Sequence, residues 1–199
     1  MSNLGLSSVL NPWQLHRMAV DDVQQRFQRI TAALCEAGVP HAIVGGQAVA
    51  AWVSTKDPDA VRVTKDVDIL LDRNSLPQAK SVALSLEMDY CEIVGVGMFL
   101  ERDNPNPRRA VHLLWAGEKV RPEYETIAAT IDQRELLAPN LWVVALPELV
   151  RMKLQANRDQ DRVHLRDMID VGLIGREILK TLPPTLAERL LPLLVDAGR

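Results

Sequence analysis

The stretch 41–72, HAIVGGQAVAAWVSTKDPDAVRVTKDVDILLD, limits the possible folds of this chain more than any other. A short apolar run, His41 to Val44, ends in Gly45–Gly46, and a small-residue helix is expected from Gln47 to Val53. Ala48, Ala50 and Ala51 on that helix allow close packing against a sheet. Asp57–Pro58 marks a turn in the following loop. Val61 to Leu71 then reads as a central strand, because its end, Ile69-Leu70-Leu71, is apolar on both faces as an interior strand requires. Side chains two apart on a strand share a face, so Arg62, Thr64, Asp66 and Asp68 form a polar face while Val67 and Ile69 point into the sheet.

Two carboxylates held side by side repel each other unless a cation sits between them. Oxygen pairs of this kind suit Mg²⁺, usually shared with substrate phosphates. A lone Asp-x-Asp more often lies on a solvated face. Here the apolar end of the strand favours a built site, since buried acids need a partner. Gly45–Gly46 also has two readings. It is either a tight strand-to-helix turn that tolerates positive φ, or a turn whose exposed amides receive a phosphate at a helix N-terminus. The acidic strand downstream favours the second.

Upstream, residues 1–12 read as a poorly ordered arm, with Asn11 as the cap and Pro12 as the first residue of a helix. Val23, Phe27, Ile30 and Leu34 recur on one face of that helix, which Gly38 and Pro40 end. Downstream, the pattern predicts a helix Leu76–Met88 capped by Ser75 and one strand Tyr90–Leu100 loosened by Gly95 and Gly97. A strand Ala110–Leu114 with His112 at its centre and a strand Leu141–Ala145 follow. Pro147 opens a helix whose Leu149, Met152 and Leu154 face inward, with Lys153 on its flank. A polar break at Arg158–Asp161 precedes a helix Val163–Ile174, and Leu186 to Val195 forms a leucine-rich closing helix. His164, amid charges on a helix, reads as a solvated or salt-linked residue, His41 begins a strand with no partner in sequence, and His16 carries no signal. The expected class is α+β: a short mixed sheet flanked by helices over residues 1–145, with a helical segment, 146–199, packed on it.

At 199 residues the chain suits one domain, or one domain with an appendage, and 47% hydrophobic with 25% charged residues is a balance that fills a core. A net charge of −3 argues against a dedicated nucleic-acid binder, which usually carries a basic excess. Cys35 and Cys91 are isolated, no basic-then-apolar leader opens the chain, and no apolar run reaches the ~18 residues of a membrane span. The expected setting is therefore a reducing cytoplasm, with no membrane partner.

The order strand, Gly45-Gly46, helix, loop, strand with Asp66-Val67-Asp68 resembles the polymerase β nucleotidyltransferase superfamily and its G-[GS]…D-x-[DE] signature. More narrowly, GGQAVAAW, RVTKDVDILL and LPELVRMKLQANRDQDRVHLRDMIDVGLI resemble small bacterial AbiEii-like proteins. Those carry a Thr-x-Asp-x-Asp strand, here Thr64 to Asp68, and a later lysine followed by R-x-x-D, here Lys153 and Arg158 to Asp161. The resemblance covers residues 40–72 and 146–174. It implies a metal-dependent nucleotidyltransferase that moves a nucleoside monophosphate from a nucleoside triphosphate to a hydroxyl of a protein, RNA or small molecule. Asp66 and Asp68 would hold Mg²⁺ or Mn²⁺. Gly45, Gly46, Gln47, Thr64 and Lys153 would contact the nucleotide. The AbiEii-like likeness also implies a toxin-antitoxin setting with a protein partner.

One position departs from the pattern. Active members place a third carboxylate on the strand after the Asp-x-Asp hairpin, where this chain reads Val111-His112-Leu113-Leu114. Three readings stay open. His112 is a general base in a variant catalytic site, or the mark of a site that binds nucleotide without transfer, or a structural partner of Asp66 or Asp68. As a cation ligand, imidazole suits Mn²⁺ or Zn²⁺ better than Mg²⁺.

Overall fold

A computed structural model describes residues 11–198. The arm expected over residues 1–12 lies almost wholly outside the described residues. The first helix, α1 (Pro12–Glu36), starts as expected, with Asn11 and Gln14 forming a reciprocal capping box. Its first turns are exposed. Val23, Phe27, Ile30 and Leu34 then bury the predicted face.

The chain continues through β1 (His41–Val44), α2 (Gly45–Ser54), β2 (Val67–Leu71), α3 (Leu76–Ser85), β3 (Met88–Ile93), β4 (Val96–Glu101) and β5 (Val111–Trp115). It ends with β6 (Arg134–Ala138), β7 (Leu141–Val144), α4 (Leu146–Ala156), α5 (Asp159–Asp170) and α6 (Pro184–Asp196). The α+β class is as expected. The strands form one mixed seven-stranded sheet in the order β3-β4-β5-β2-β1-β7-β6. The β1–β7 and β2–β5 pairs are parallel and the other pairs antiparallel. The apolar runs of β1 and β2 sit at the middle of the order, where both faces of a strand are covered. Helix α1 packs against α3, while α2, α4, α5 and α6 pack among themselves. Leucines of α4 to α6 join the same buried cluster as the sheet.

Several boundaries differ from the sequence expectation. The central strand begins at Val67, not Val61. Residues 61–66 have nothing to pair with, because β1 ends opposite Asp68 and β5 begins opposite Val67. Asp66 therefore precedes the strand, while Asp68 lies within it. The single strand expected at 90–100 is a hairpin turning at Val94–Gly95, both at positive φ. The helix after Ser75 ends at Ser85, and the Ser75 side chain makes no capping bond. The closing strand stops at Val144, the polar break before α5 is shorter than expected, and β6 is an additional strand.

Ile43 is fully buried, paired to Ile69 on one side and Val143 on the other. Ile43→Ala is expected to lower unfolding stability by about 2–5 kcal/mol, read as a lower urea midpoint at unchanged m-value.

Candidate nucleotide site

The site is built where β1 stops. Val44 is the last residue of β1 and pairs with Asp68. Gly45 and Gly46 follow as the first residues of α2. A Cβ on Gly45 would stand 2.0 Å from Asp68 Oδ2, and one on Gly46 would stand 2.5 Å from Thr64 Oγ1. Gly45 also has φ +69°, in the left-handed region that favours glycine. The backbone at Gly45 favours glycine, and a Cβ on either residue would press on the side chain of Asp68 or Thr64. The first amides of a helix have no partner within it, so this approach brings the N-terminal end of α2 to the carboxylate-bearing end of β2.

The parallel pairing of β2 with β5 sets His112 directly beside Asp68. His112 Nδ1 lies 3.7 Å from Asp68 Oδ1, and Nε2 lies 3.2 Å from the carbonyl of Pro107. A carbonyl oxygen only accepts, so Nε2 carries the hydrogen. Burial pushes the Asp68 carboxyl above its ordinary value, His112 pulls it down, and the charge of Asp66 pushes it up again.

Gly45, Gly46, Thr64, Asp66, Asp68, His112 and Lys153 all line one cleft of about 770 Å³. Gln47 is buried in α2 and does not line it. Lys153 is not on an exposed flank. It is buried, and its Nζ donates to Asp161 Oδ1 at 3.0 Å. Arg158 donates to Asp161 Oδ2 from its side chain at 2.7 Å and from its backbone amide at 3.2 Å. Burial alone would raise the Asp161 carboxyl; the hydrogen bonds from Arg158 and Lys153 outweigh it and hold the group below its ordinary value. Arg62 leaves the polar face and pairs with Asp167 of α5 at 2.7 Å.

Residue-by-residue reading missed three features of the cleft. His164, expected to be solvated or salt-linked, is buried against it, and Nδ1 has no hydrogen-bond partner. Burial, reinforced by the charge of Lys153, pushes its pKa down to about 4. Its position one helical turn beyond Asp161 (i, i+3) was the available signal. Arg73 and Glu118 make a two-point ion pair at the cleft wall, with Arg73 stacked 4.4 Å over Trp115. Their separation by 45 residues left no mark in the sequence. Tyr124 also lines the cleft.

Solved structures match this architecture over nearly the whole chain. The antibiotic-resistance factor ANT(2'')-Ia is 14% identical with a TM-score of 0.53, covering 90% of this chain and 91% of its own. An antigenic nucleotidyltransferase-like protein from Paracoccidioides brasiliensis is 16% identical with a TM-score of 0.52, covering 89% of each chain. The chain has a nucleotidyltransferase-like fold. No family model matches the sequence. No curated protein matches it significantly.

For a divalent cation, the donor set decides the fit. Among the described residues, no group of three or more His, Cys, Asp or Glu side chains gathers to hold a metal ion alone. Asp66, Asp68 and His112 instead line one cleft without closing into such a group. Mg²⁺ takes one or two carboxylates and completes its shell with water and substrate phosphates, so the carboxylates fit a cation that arrives with a phosphate ligand. Among the described residues, no helix is long and apolar enough to cross a membrane.

Two predictions test this geometry. Gly38 has φ +65° with open space around it, whereas Gly45 has a similar φ and faces Asp68. Gly38→Ala is expected to cost about 1–2 kcal/mol from backbone strain alone, and Gly45→Ala distinctly more, in parallel denaturation curves. His164 is neutral in the fold down to about pH 4. The unfolded side chain titrates near 6.5, so between those values the unfolded chain binds more protons. The stability contribution is complete above pH 6.5 and is lost as pH falls toward 4, up to about 3 kcal/mol. His164→Gln is expected to flatten that part of the stability-pH curve.

Proposed function

We propose that this protein is a metal-dependent nucleotidyltransferase, moving a nucleoside monophosphate from a nucleoside triphosphate to a hydroxyl of a protein, RNA or small molecule. The observation that carries the reading is the contact of the two α2 glycines with Asp68 and Thr64, at the mouth of a cleft also lined by Asp66, His112 and Lys153. The fold likeness to a nucleotidyltransferase-like protein supports it. Within the superfamily we place the chain with the small AbiEii-like proteins, on Lys153 followed by Arg158 and Asp161. That placement carries a cytoplasmic setting and a toxin-antitoxin partner with it.

Asp66 and Asp68 are the residues that would hold Mg²⁺ or Mn²⁺. Bound there, the cation would supply charge neutralisation on the triphosphate and Lewis-acid polarisation at the attacked phosphorus. The amides of Gly45 and Gly46 receive the β- and γ-phosphates, since helix N-termini favour anions, and Thr64 adds a hydroxyl beside them. Lys153 and Arg158 share one carboxylate, that of Asp161, and so leave positive charge on the cleft wall for the phosphates. His112 stands beside Asp68, at the position where the resemblance implies an acid, and is the candidate base for an acceptor hydroxyl.

Mg²⁺ or Mn²⁺ with a nucleoside triphosphate at about a hundred times Kd is expected to raise Tm by about 5–10 °C. The double variant Asp66→Ala, Asp68→Ala is expected to abolish the rise; no rise with any triphosphate and either metal overturns the reading. Transfer of an α-phosphate label to lysate or RNA is expected to fall about 10²-fold in His112→Ala while nucleotide binding persists. The second reading, nucleotide binding without transfer, rests on His112 in place of a third acid. It predicts a full Tm rise, no label transfer by the native chain, and transfer gained in His112→Asp.

A further inference from the structure

We infer that Gln155 and Thr126 read the base of the triphosphate, and that they select a keto base, uracil or guanine, over an amino base, cytosine or adenine. The inference rests on the nucleotidyl-transfer reading of the cleft and goes further by naming the class of nucleotide and the residues that choose it.

Two stretches of the cleft lining lie outside the phosphate-binding groups. One carries Arg73, Glu118 and Trp115, where the charges are paired with each other and Arg73 covers the Trp115 ring at 4.4 Å. The other lies between α4 and residues 126–128, where Met152 and Ala156 give apolar surface beside the polar groups of Gln155 and Thr126. Apolar surface with a few fixed polar groups is the usual setting for a small planar ligand. Lys153 and Gln155 are two apart in α4, so they leave the helix on opposite flanks, with Met152 and Ala156 between them. A helix with its side chains is about 10–12 Å across, close to the reach of a nucleotide from its phosphates to the outer edge of its base. A triphosphate held at Lys153 and the α2 glycines thus lays its base on Met152 and Ala156 and brings that edge to Gln155.

Two hydrogen bonds fix the polarity met there. The Thr126 backbone N–H only donates, so the Gln155 atom 3.1 Å from it is the amide oxygen, Oε1. The Thr126 hydroxyl gives its hydrogen to the same oxygen at 3.2 Å. The Gln155 amide nitrogen keeps two hydrogens, and among the described residues no acceptor takes either. Thr126 Oγ1 keeps only lone pairs. Arg151 of α4 donates to the Ile127 carbonyl at 2.6 Å and ties down the same segment. A donor beside an acceptor is therefore in place before any ligand arrives.

Uracil and guanine carry a ring carbonyl next to a ring N–H. Cytosine and adenine carry an amino group next to a bare ring nitrogen, which is the reverse order. The Gln155–Thr126 pair can meet the first edge with two hydrogen bonds. Against the second it sets donor to donor and acceptor to acceptor, and polar groups left unpaired in a site cost more than a missing contact.

Calorimetric titration of the full chain, in Mg²⁺, with non-hydrolysable analogues of UTP, CTP, GTP and ATP tests this. Within the pair that binds more tightly, UTP with CTP or GTP with ATP, the keto member is expected to bind about ten-fold or more tightly. Which pair leads tells a pyrimidine site from a purine site. Gln155→Glu keeps an oxygen for Thr126 and puts a second acceptor in place of the amide nitrogen. It is expected to remove or reverse the preference while still melting cooperatively without nucleotide; its added charge acts on both members of a pair and cancels in their ratio. Thr126→Val keeps the backbone bond to Gln155, removes the acceptor, and is expected to shrink the same ratio several-fold. Equal binding within both pairs, an amino preference, or a keto preference unchanged in either variant overturns this inference and leaves nucleotidyl transfer standing. Failure of all four analogues to bind the native chain overturns both.

Discussion

The approach of a helix backbone to a carboxylate is the constraint on which the rest of this structure depends. β1 pairs with β2 as far as Val44 opposite Asp68, and the chain turns into α2 at the next residue. A Cβ at Gly45 would meet Asp68 Oδ2 and one at Gly46 would meet Thr64 Oγ1, so a larger residue at either place must displace that side chain. The first turn of α2 thereby lies against the end of β2, beside Asp68, which pairs with Val44 on one side and His112 on the other. The sheet then extends the arrangement sideways, since parallel pairing with β5 puts His112 at the same level as Asp68. Three elements from separate parts of the chain present their functional atoms at one end of the sheet as a consequence of register.

The helical segment closes the cleft from the other side through a buried ion pair. Asp161 is fully buried, and Lys153 of α4 and Arg158 at the start of α5 both reach it. Such a pair gains little over an apolar contact of the same shape, but losing one partner leaves a buried charge and is costly. The pair ties α4 to the start of α5 and keeps two cations beside a site that bears two acids. His164, packed below with an unpaired Nδ1, is held neutral by the same burial and the same lysine. Residue by residue, Lys153 reads as a flank lysine and His164 as a solvated or salt-linked histidine. Their burial depends on how α4 and α5 pack against α2, which periodicity does not encode.

The sheet shows the same division. β1 and the apolar end of β2 were legible because an interior strand must be apolar on both faces, and Ile43, Ile69 and Leu70 are. The start of β2 was misplaced because Val61 to Asp66 alternates like a strand, yet strand character requires a neighbour, and none runs beside it. The β3–β4 hairpin read as one strand because its turn, Val94–Gly95, carries a β-branched residue at positive φ and little of the usual turn chemistry. β6 was overlooked because Arg134–Ala138 is an edge strand, largely exposed and without the clean alternation of a half-buried one.

By itself, the sequence determined the α+β class, the glycine turn, the acid pair and the helical C-terminal segment. Each follows from local rules of spacing, side-chain size and backbone freedom. Only the tertiary structure decided that Asp68 is in the sheet while Asp66 precedes it, that the two glycines lie against the side chains of Asp68 and Thr64, and that His112 Nδ1 lies 3.7 Å from a carboxylate oxygen. Those facts depend on strand register and helix packing between residues far apart in the chain. A one-residue shift in register would turn His112 to the opposite face of the sheet and remove it from the site.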